Sequence, residues 1–150
     1  MSYEDLTTIG EIQAYLSGIT FTAVTNPTAV QVGRWINEAT SLIYGKLASS
    51  YSVSSDITDE DSLNILKPIA NSYVLSQISF AKDKMRTGTA SGSSRTVKEP
   101  DLSNFTSMLN AVANRDIILP NVASSANRKA RSFAADNSIA FVSSKDEATW

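Results

Sequence analysis

Residues 28–51 read TAVQVGRWINEATSLIYGKLASSY, and the spacing of the apolar residues in this stretch decides the fold. Val32, Ile36, Ala39, Ile43 and Leu47 recur at intervals of four, three, four and four, with Tyr51 one step further on. At 3.6 residues per turn these positions form one stripe, which predicts a helix from about Thr28 to Ser49, roughly 33 Å long. Asn26-Pro27 offers a cap followed by a proline at the first helical position, where a missing N–H costs nothing. Trp35 and Leu42, seven apart, make a second apolar line beside the first. So broad a face can pack on two sides, so Trp35, Ile36, Leu42 and Ile43 are candidates for the core or for contact between subunits. The central helix of a monomeric bundle would satisfy the same periodicity.

The flanking segments extend the helical reading. Thr8 and Glu11 have capping-box spacing, Ile9, Ile12 and Leu16 share a face, and Gly18 is placed to end a short helix. Ile19 to Val24 alternates β-branched and aromatic residues, which suggests a short extended connector. After a Ser-rich loop from Tyr51, Thr58 precedes Asp59-Glu60-Asp61, and three acids suit the positive end of a helix dipole. Consecutive helical residues point about 100° apart, so the triplet does not converge on a metal ion. Leu63, Leu66, Ala70, Tyr73, Val74, Ile78, Ala81 and Met85 continue an apolar face, and Pro68 within it is expected to kink the helix or split it near Lys67. Lys82, Lys84 and Arg86 suit its carboxyl end. Glu99-Pro100-Asp101 opens a fourth helix, with Leu102, Phe105, Leu109 and Val112 on one face, and Asp116 to Pro120 reads as a short extended anchor.

Two segments lack helical period. Residues 87–97, TGTASGSSRTV, are low in apolar content and read as a flexible loop carrying Arg95, with Lys98 just beyond. From Asn121 onward Arg128, Lys129 and Arg131 cluster, and Phe133, Ile139, Phe141, Val142 and Trp150 stand singly among small and polar residues. Such a tail cannot form a core of its own, and its aromatics suit an arm that orders on a partner through Arg128, Lys129, Arg131, Phe133, Phe141 and Trp150. The expected architecture is therefore all-α: a small bundle of about four helices over residues 1–120, with a long Gly/Ser-rich loop, and an extended arm over 121–150.

Composition narrows the chemistry. The chain of 150 residues has no Cys and no His, which removes disulfides, thiolate nucleophiles, Ser-His-Asp triads and Cys- or His-ligated zinc. No apolar run approaches the ~20 residues that span a bilayer, and Met1 to Asp5 is acidic where a signal peptide carries basic residues. The net charge of -2 conceals an asymmetry. Residues 1–80 hold eight acids against Arg34, Lys46 and Lys67, a net of -5; residues 81–150 hold ten Lys/Arg against seven acids, a net of +3. Such a chain can pair head to tail with its own copies or face two different partners, although solvated faces alone would give the same pattern. Neither catalytic nor cofactor residues emerge. Ser79-x-x-Lys82 has the spacing of a Ser–Lys pair without the accompanying motifs, and Gly88 and Gly92 form no phosphate loop. Asn104-Phe105-Thr106 is a glycosylation sequon only by coincidence of spacing.

The short capped helix, the series Val32-x3-Ile36-x2-Ala39-x3-Ile43-x3-Leu47-x3-Tyr51, and the acid-capped helix Leu63-x2-Leu66-Lys67-x2-Ala70-x2-Tyr73 together resemble the head–tail connector (adaptor, or head-completion) proteins of tailed bacteriophages. The resemblance covers residues 1 to about 86. It implies a small all-α protein, made in the host cytoplasm, that assembles as a homo-oligomeric ring, typically of twelve, at the neck of the virion. Its partners would be the portal protein above and a downstream tail or completion protein below, with DNA passing through the channel and no membrane involved. The 87–99 loop would face the lumen or the tail, and the 121–150 arm would clasp a neighbour or the portal. The long Ser/Ala-rich arm departs from the shorter family members.

Two other classes fit parts of the chain. A DNA-packaging module such as a small terminase subunit would join an amino-terminal DNA reader to oligomerising helices. The acidic first half and the sparse Gln31 and Arg34 of its would-be reading helix count against it. A glycosidase working through carboxylates alone needs two Asp/Glu about 5 to 9.5 Å apart, and the acids here sit mostly at helix starts and termini.

Overall fold

In a computed structural model, which describes residues 2–87 and 99–125, all six members of the Val32-to-Tyr51 stripe are buried. The described residues are all-α, with four helices and no strand: α1 (Ile9–Tyr15), α2 (Ala29–Leu47), α3 (Glu60–Thr87) and α4 (Ser103–Ala113). The Gly/Ser-rich loop from Gly88 to Lys98, and the arm beyond Ser125, lie outside the described residues.

Each helix starts where local polar chemistry closes its open end. Thr8 Oγ1 accepts from the Glu11 N–H at 3.2 Å and Glu11 Oε2 accepts from the Thr8 N–H at 2.9 Å, the reciprocal capping expected for α1. Gly18, at φ 81°, turns the chain away after it. The same reciprocal pair starts α2, between Thr28 and Gln31. Pro27 therefore stands outside the helix and Asn26 is not the cap, because Thr28 and Gln31 satisfy two backbone donors where Asn26 could satisfy one. For α3 the cap is Asp59 and not Thr58: its Oδ2 accepts from the Ser62 N–H at 3.0 Å and from Ser62 Oγ at 2.9 Å. In front of α4, Asp101 Oδ1 accepts from the Ser103 N–H at 3.1 Å and from Ser103 Oγ at 2.6 Å.

No split occurs at Pro68, and α3 runs through it for 28 residues. Pro68 removes the donor that the Asn64 carbonyl would otherwise have, and both residues are exposed. Nor does 19–24 form a strand. Phe21 turns into the core while Thr22 and Thr25 bond to each other, the Thr22 N–H donating to Thr25 Oγ1 at 2.8 Å.

α2 lies antiparallel to α3, since Glu38 meets Tyr73 while Tyr44, further along α2, meets Ile57 ahead of α3. α4 is antiparallel to α3 for the same reason: Phe105 packs edge-on against Tyr73, ring centroids 5.0 Å apart, and Pro120 reaches back to Ser62. α1 joins α3 through Lys67 Nζ and Glu11 Oε1 at 3.1 Å. Ile12, Leu66, Ile69, Ala70, Val74, Ile78, Leu109 and Val112 fill the space around the α2 stripe.

Two irregular segments complete this core. Ahead of α1, the Leu6 N–H donates to Thr40 Oγ1 at 3.1 Å, Leu6 is buried, and the Tyr3 ring stacks on Tyr44 at 3.9 Å and 2°. After α4, Leu119 is buried, and Tyr51 pairs with Ser124 in an antiparallel bridge, the Ser52 N–H donating to Ala123 O at 2.8 Å. Residues 121–125 are thus held against the loop that follows α2.

Replacing Ile36 or Ile43 with Asp is expected to abolish folding, because each would bury an unpaired charge at a cost of several kcal/mol; the circular-dichroism melt should lose its cooperative transition. A gentler effect is expected in acid. The hydrogen bond from Lys67, assisted by Thr8 and Thr7, holds the Glu11 carboxyl below its ordinary pKa. As pH falls the unfolded chain then takes up its proton first, so this contribution is present above pH 4.5 and disappears below it. Thermal melts between pH 6 and pH 3 should show a Tm decline that Lys67→Met makes shallower, by a small amount because both side chains are about two-fifths exposed.

Candidate interaction surfaces

The residues singled out on α2 divide between inside and outside. Ile36 and Ile43 point into the subunit's own core, at 2% and 0% exposure. Trp35 is half-buried against that core. Leu42 is exposed. Glu38 stands between Trp35 and Leu42 on the same flank, three residues after one and four before the other, and its charge helps to raise the Tyr73 pKa. The second apolar line is therefore interrupted by a charged group, and Leu42 is its outward member. Arg95, Lys98, Arg128, Lys129, Arg131, Phe133, Phe141 and Trp150 all lie outside the described residues.

Other apolar side chains stand outward at the two ends of the bundle. Val24 and Val30 are exposed at the start of α2, where the Ala29 N–H donates to Thr22 O at 2.9 Å. Ile117 and Ile118 are exposed just after α4, at the other end. Sequence reading took 116–120 as an anchor without separating its residues. Leu119 is the anchoring one, buried with its N–H donating to Tyr51 Oη at 3.4 Å. Nothing in the local spacing distinguishes Leu119 from the isoleucines before it.

Arg115 decides how this segment leaves α4. It takes φ 67°, a left-handed conformation that costs a non-glycine residue roughly 1–2 kcal/mol. The Arg115 N–H donates to Val112 O at 3.1 Å and the Ile117 N–H to Ala111 O at 3.1 Å, which satisfies two carbonyls at the end of the helix. Its guanidinium donates to Ser50 O at 3.2 Å and lies over the Tyr51 ring, 5.7 Å from the centroid. These contacts are the reason an arginine stands where glycine is the usual choice.

The acidic triplet behaves as a helix start. Asp59 uses both oxygens, Oδ2 on Ser62 and Oδ1 on Asn121 Nδ2 at 2.9 Å, and the Asn121 bond is the main cause of its lowered pKa. Glu60 and Asp61 are exposed. Beside them an open depression of about 190 Å³ is lined by residues 52–59 and 121–123. Asp56 Oδ1 accepts from the Glu4 N–H at 2.8 Å there. Among the described residues no group of three or more acids converges as a metal site would require, and no helix is long and apolar enough to cross a membrane.

Tyr44 is absent from the sequence reading and Tyr73 enters it only as a member of the α3 apolar face, although both are central. Tyr44 Oη accepts from the Ile57 N–H at 2.9 Å and so ties the α2–α3 loop to α2; its i+8 relation to Ile36 was the available signal. Burial raises its pKa. Burial, reinforced by Glu38, pushes Tyr73 up to about 12. An unfolded tyrosine ionises near pH 10, so the Tyr73 contribution is complete below that and lost as pH rises from 10 to 12. Ultraviolet titration of the folded protein should show Tyr44 and Tyr73 ionising above the ordinary tyrosine range. Tyr73→Phe should remove one late step and lower stability by about 1 kcal/mol.

Comparison with known protein families, with curated proteins and with solved structures gives no match.

Proposed function

We propose that this chain is a structural subunit of a tailed-bacteriophage neck: a ring adaptor between portal and tail that lines the DNA exit channel and works without catalysis or a cofactor. The supporting observation is the presence of apolar side chains outside a core that is already filled. With the α2 stripe wholly buried, Leu42 on one flank, Val24 and Val30 at one end and Ile117 and Ile118 at the other still face outward. Unlike patches on different faces of one subunit make heterologous contacts, which close into a ring when the rotation between copies divides a full turn. The resemblance of residues 1–86 to the connector family implies a ring of about twelve.

In this reading residues 88–98, with Arg95 and Lys98, face the lumen or the tail protein. The arm reaches a neighbour or the portal through Arg128, Lys129, Arg131, Phe133, Phe141 and Trp150. Because 121–125 are held within the subunit, the reaching part begins at residue 126.

The mass of the purified protein, alone and mixed with candidate portal and tail proteins, tests the proposal. A ring-sized species on the portal is expected. Leu42→Asp should weaken that assembly while leaving the melt within about 0.5 kcal/mol of the parent, as surface substitutions do. Truncation after Ser125 should likewise leave a folded helical domain that assembles poorly. A chain that stays monomeric in every mixture would overturn the reading, and binding of the isolated protein to DNA with steep salt dependence would select the packaging-module alternative.

A further inference from the structure

We propose that Ile117 and Ile118, together with the carboxylates at the start of α3, form the seat for residues 126–150 of a neighbouring copy. This deepens the ring reading and rests on it.

The apolar pair is pinned outward from both sides. Before it, the Ile117 N–H donates to Ala111 O. After it, Leu119 is buried, Pro120 O accepts from Ser62 Oγ, and Asn121 Nδ2 donates to Asp59 Oδ1. Ile117 is 41% and Ile118 70% exposed under these constraints, so neither can turn inward without breaking the bonds around it. Asp116 precedes the pair, and Glu60 and Asp61 stand exposed on the turn of α3 that residues 120 and 121 touch. The nearby cation, Arg115, is committed to Ser50 O and the Tyr51 ring. The result is an apolar step with an acidic rim.

The chemistry of the carboxy-terminal segment matches it: Arg128, Lys129 and Arg131 for the rim, then Phe133, Ile139 and Phe141 for the step. Residues 121–125 run from Asp59 past Ser52 to Ser50, where the Ser125 N–H donates to Ser50 O at 3.0 Å. The chain therefore leaves beside Arg115 and the carboxyl end of α2, which carries Lys46. Arg128, Lys129 and Arg131 are opposite in sign to Glu60, Asp61 and Asp116, and the acidic rim of a neighbouring copy offers them that complement.

The absence of cysteine permits a direct test on the full chain. One copy carries Ile118→Cys, a differently tagged copy carries Ser132→Cys, and the mixture is oxidised. A disulfide-linked heterodimer is expected, with its yield reduced about tenfold by Glu60→Gln with Asp61→Asn, in line with the loss of two exposed ion pairs. Glu60→Lys with Asp61→Lys should reduce it further, and Arg128→Glu, Lys129→Glu and Arg131→Glu on the other copy should restore it. Melts of each variant separate lost docking from lost folding. No cross-link, one indifferent to these charges, or one formed only within a doubly substituted single chain would overturn the proposal. Where a portal-bound ring still forms in that case, the adaptor reading stands and only the seat is wrong.

Discussion

Burial of the α2 stripe is the constraint from which the remaining structure follows. A 19-residue helix with seven buried positions cannot be covered by one partner, because its buried arc runs from Val32 and Ala39 through Ile36 and Ile43 to Thr40 and Tyr44. α3 and α4 cover part of that arc and α1 another part. The remainder, around Thr40 and Tyr44, is closed by the irregular residues ahead of α1, through Leu6 and the stacked Tyr3. The irregular segments are part of the domain because helices alone leave the arc open. This is also why the buried hydroxyls bond to backbone: Thr40 and Tyr44 each take an N–H from a segment that has no helix to receive it.

Helical existence was legible in the sequence and helix starts were less so. The stripe on α2, the capping box of α1 and the face on α4 are local patterns with a period, and local patterns survive in one dimension. The starts of α2 and α3 moved by one or two residues because several polar side chains compete for the same orphan N–H groups. Thr28 with Gln31, and Asp59 with Ser62, prevail through two bonds each. A proline inside a helix can kink it or split it, and α3 continues through Pro68, an outcome set by the assembled bundle and not by the residue alone. The contact of Tyr51 with Ser124 and the burial of Leu119 left no trace in spacing, since partners more than 60 residues apart impose no local period.

Polar groups show how completely the described interior is settled. One buried side-chain atom among the described residues lacks a partner, Asn71 Oδ1 on α3. An orphaned acceptor of this kind costs roughly 1–3 kcal/mol, and a core of this extent tolerates one. Tyr73 illustrates the opposite arrangement: its ring packs on Phe105 in the core, while its hydroxyl reaches Glu38 on the exposed flank of α2. The side chain thus spans the boundary between inside and outside, beside the charge that separates Trp35 from Leu42.

In the proposed ring, that separation bears on where subunit contacts would form. An uninterrupted Trp35–Leu42 line would make the α2 flank the natural interface. With Glu38 between them, docking there must either desolvate a carboxylate or stay at its margin, around Leu42. Burying an unpaired carboxylate is costly, so the margin is usable but weak. Ile117 and Ile118 face no such penalty. They are adjacent, held rigid from both sides, and rimmed by charges that remain hydrated at the edge of a contact. In the proposed ring, the most economical division of labour would place affinity at the isoleucine end of the bundle and let the α2 flank set the angle between neighbours.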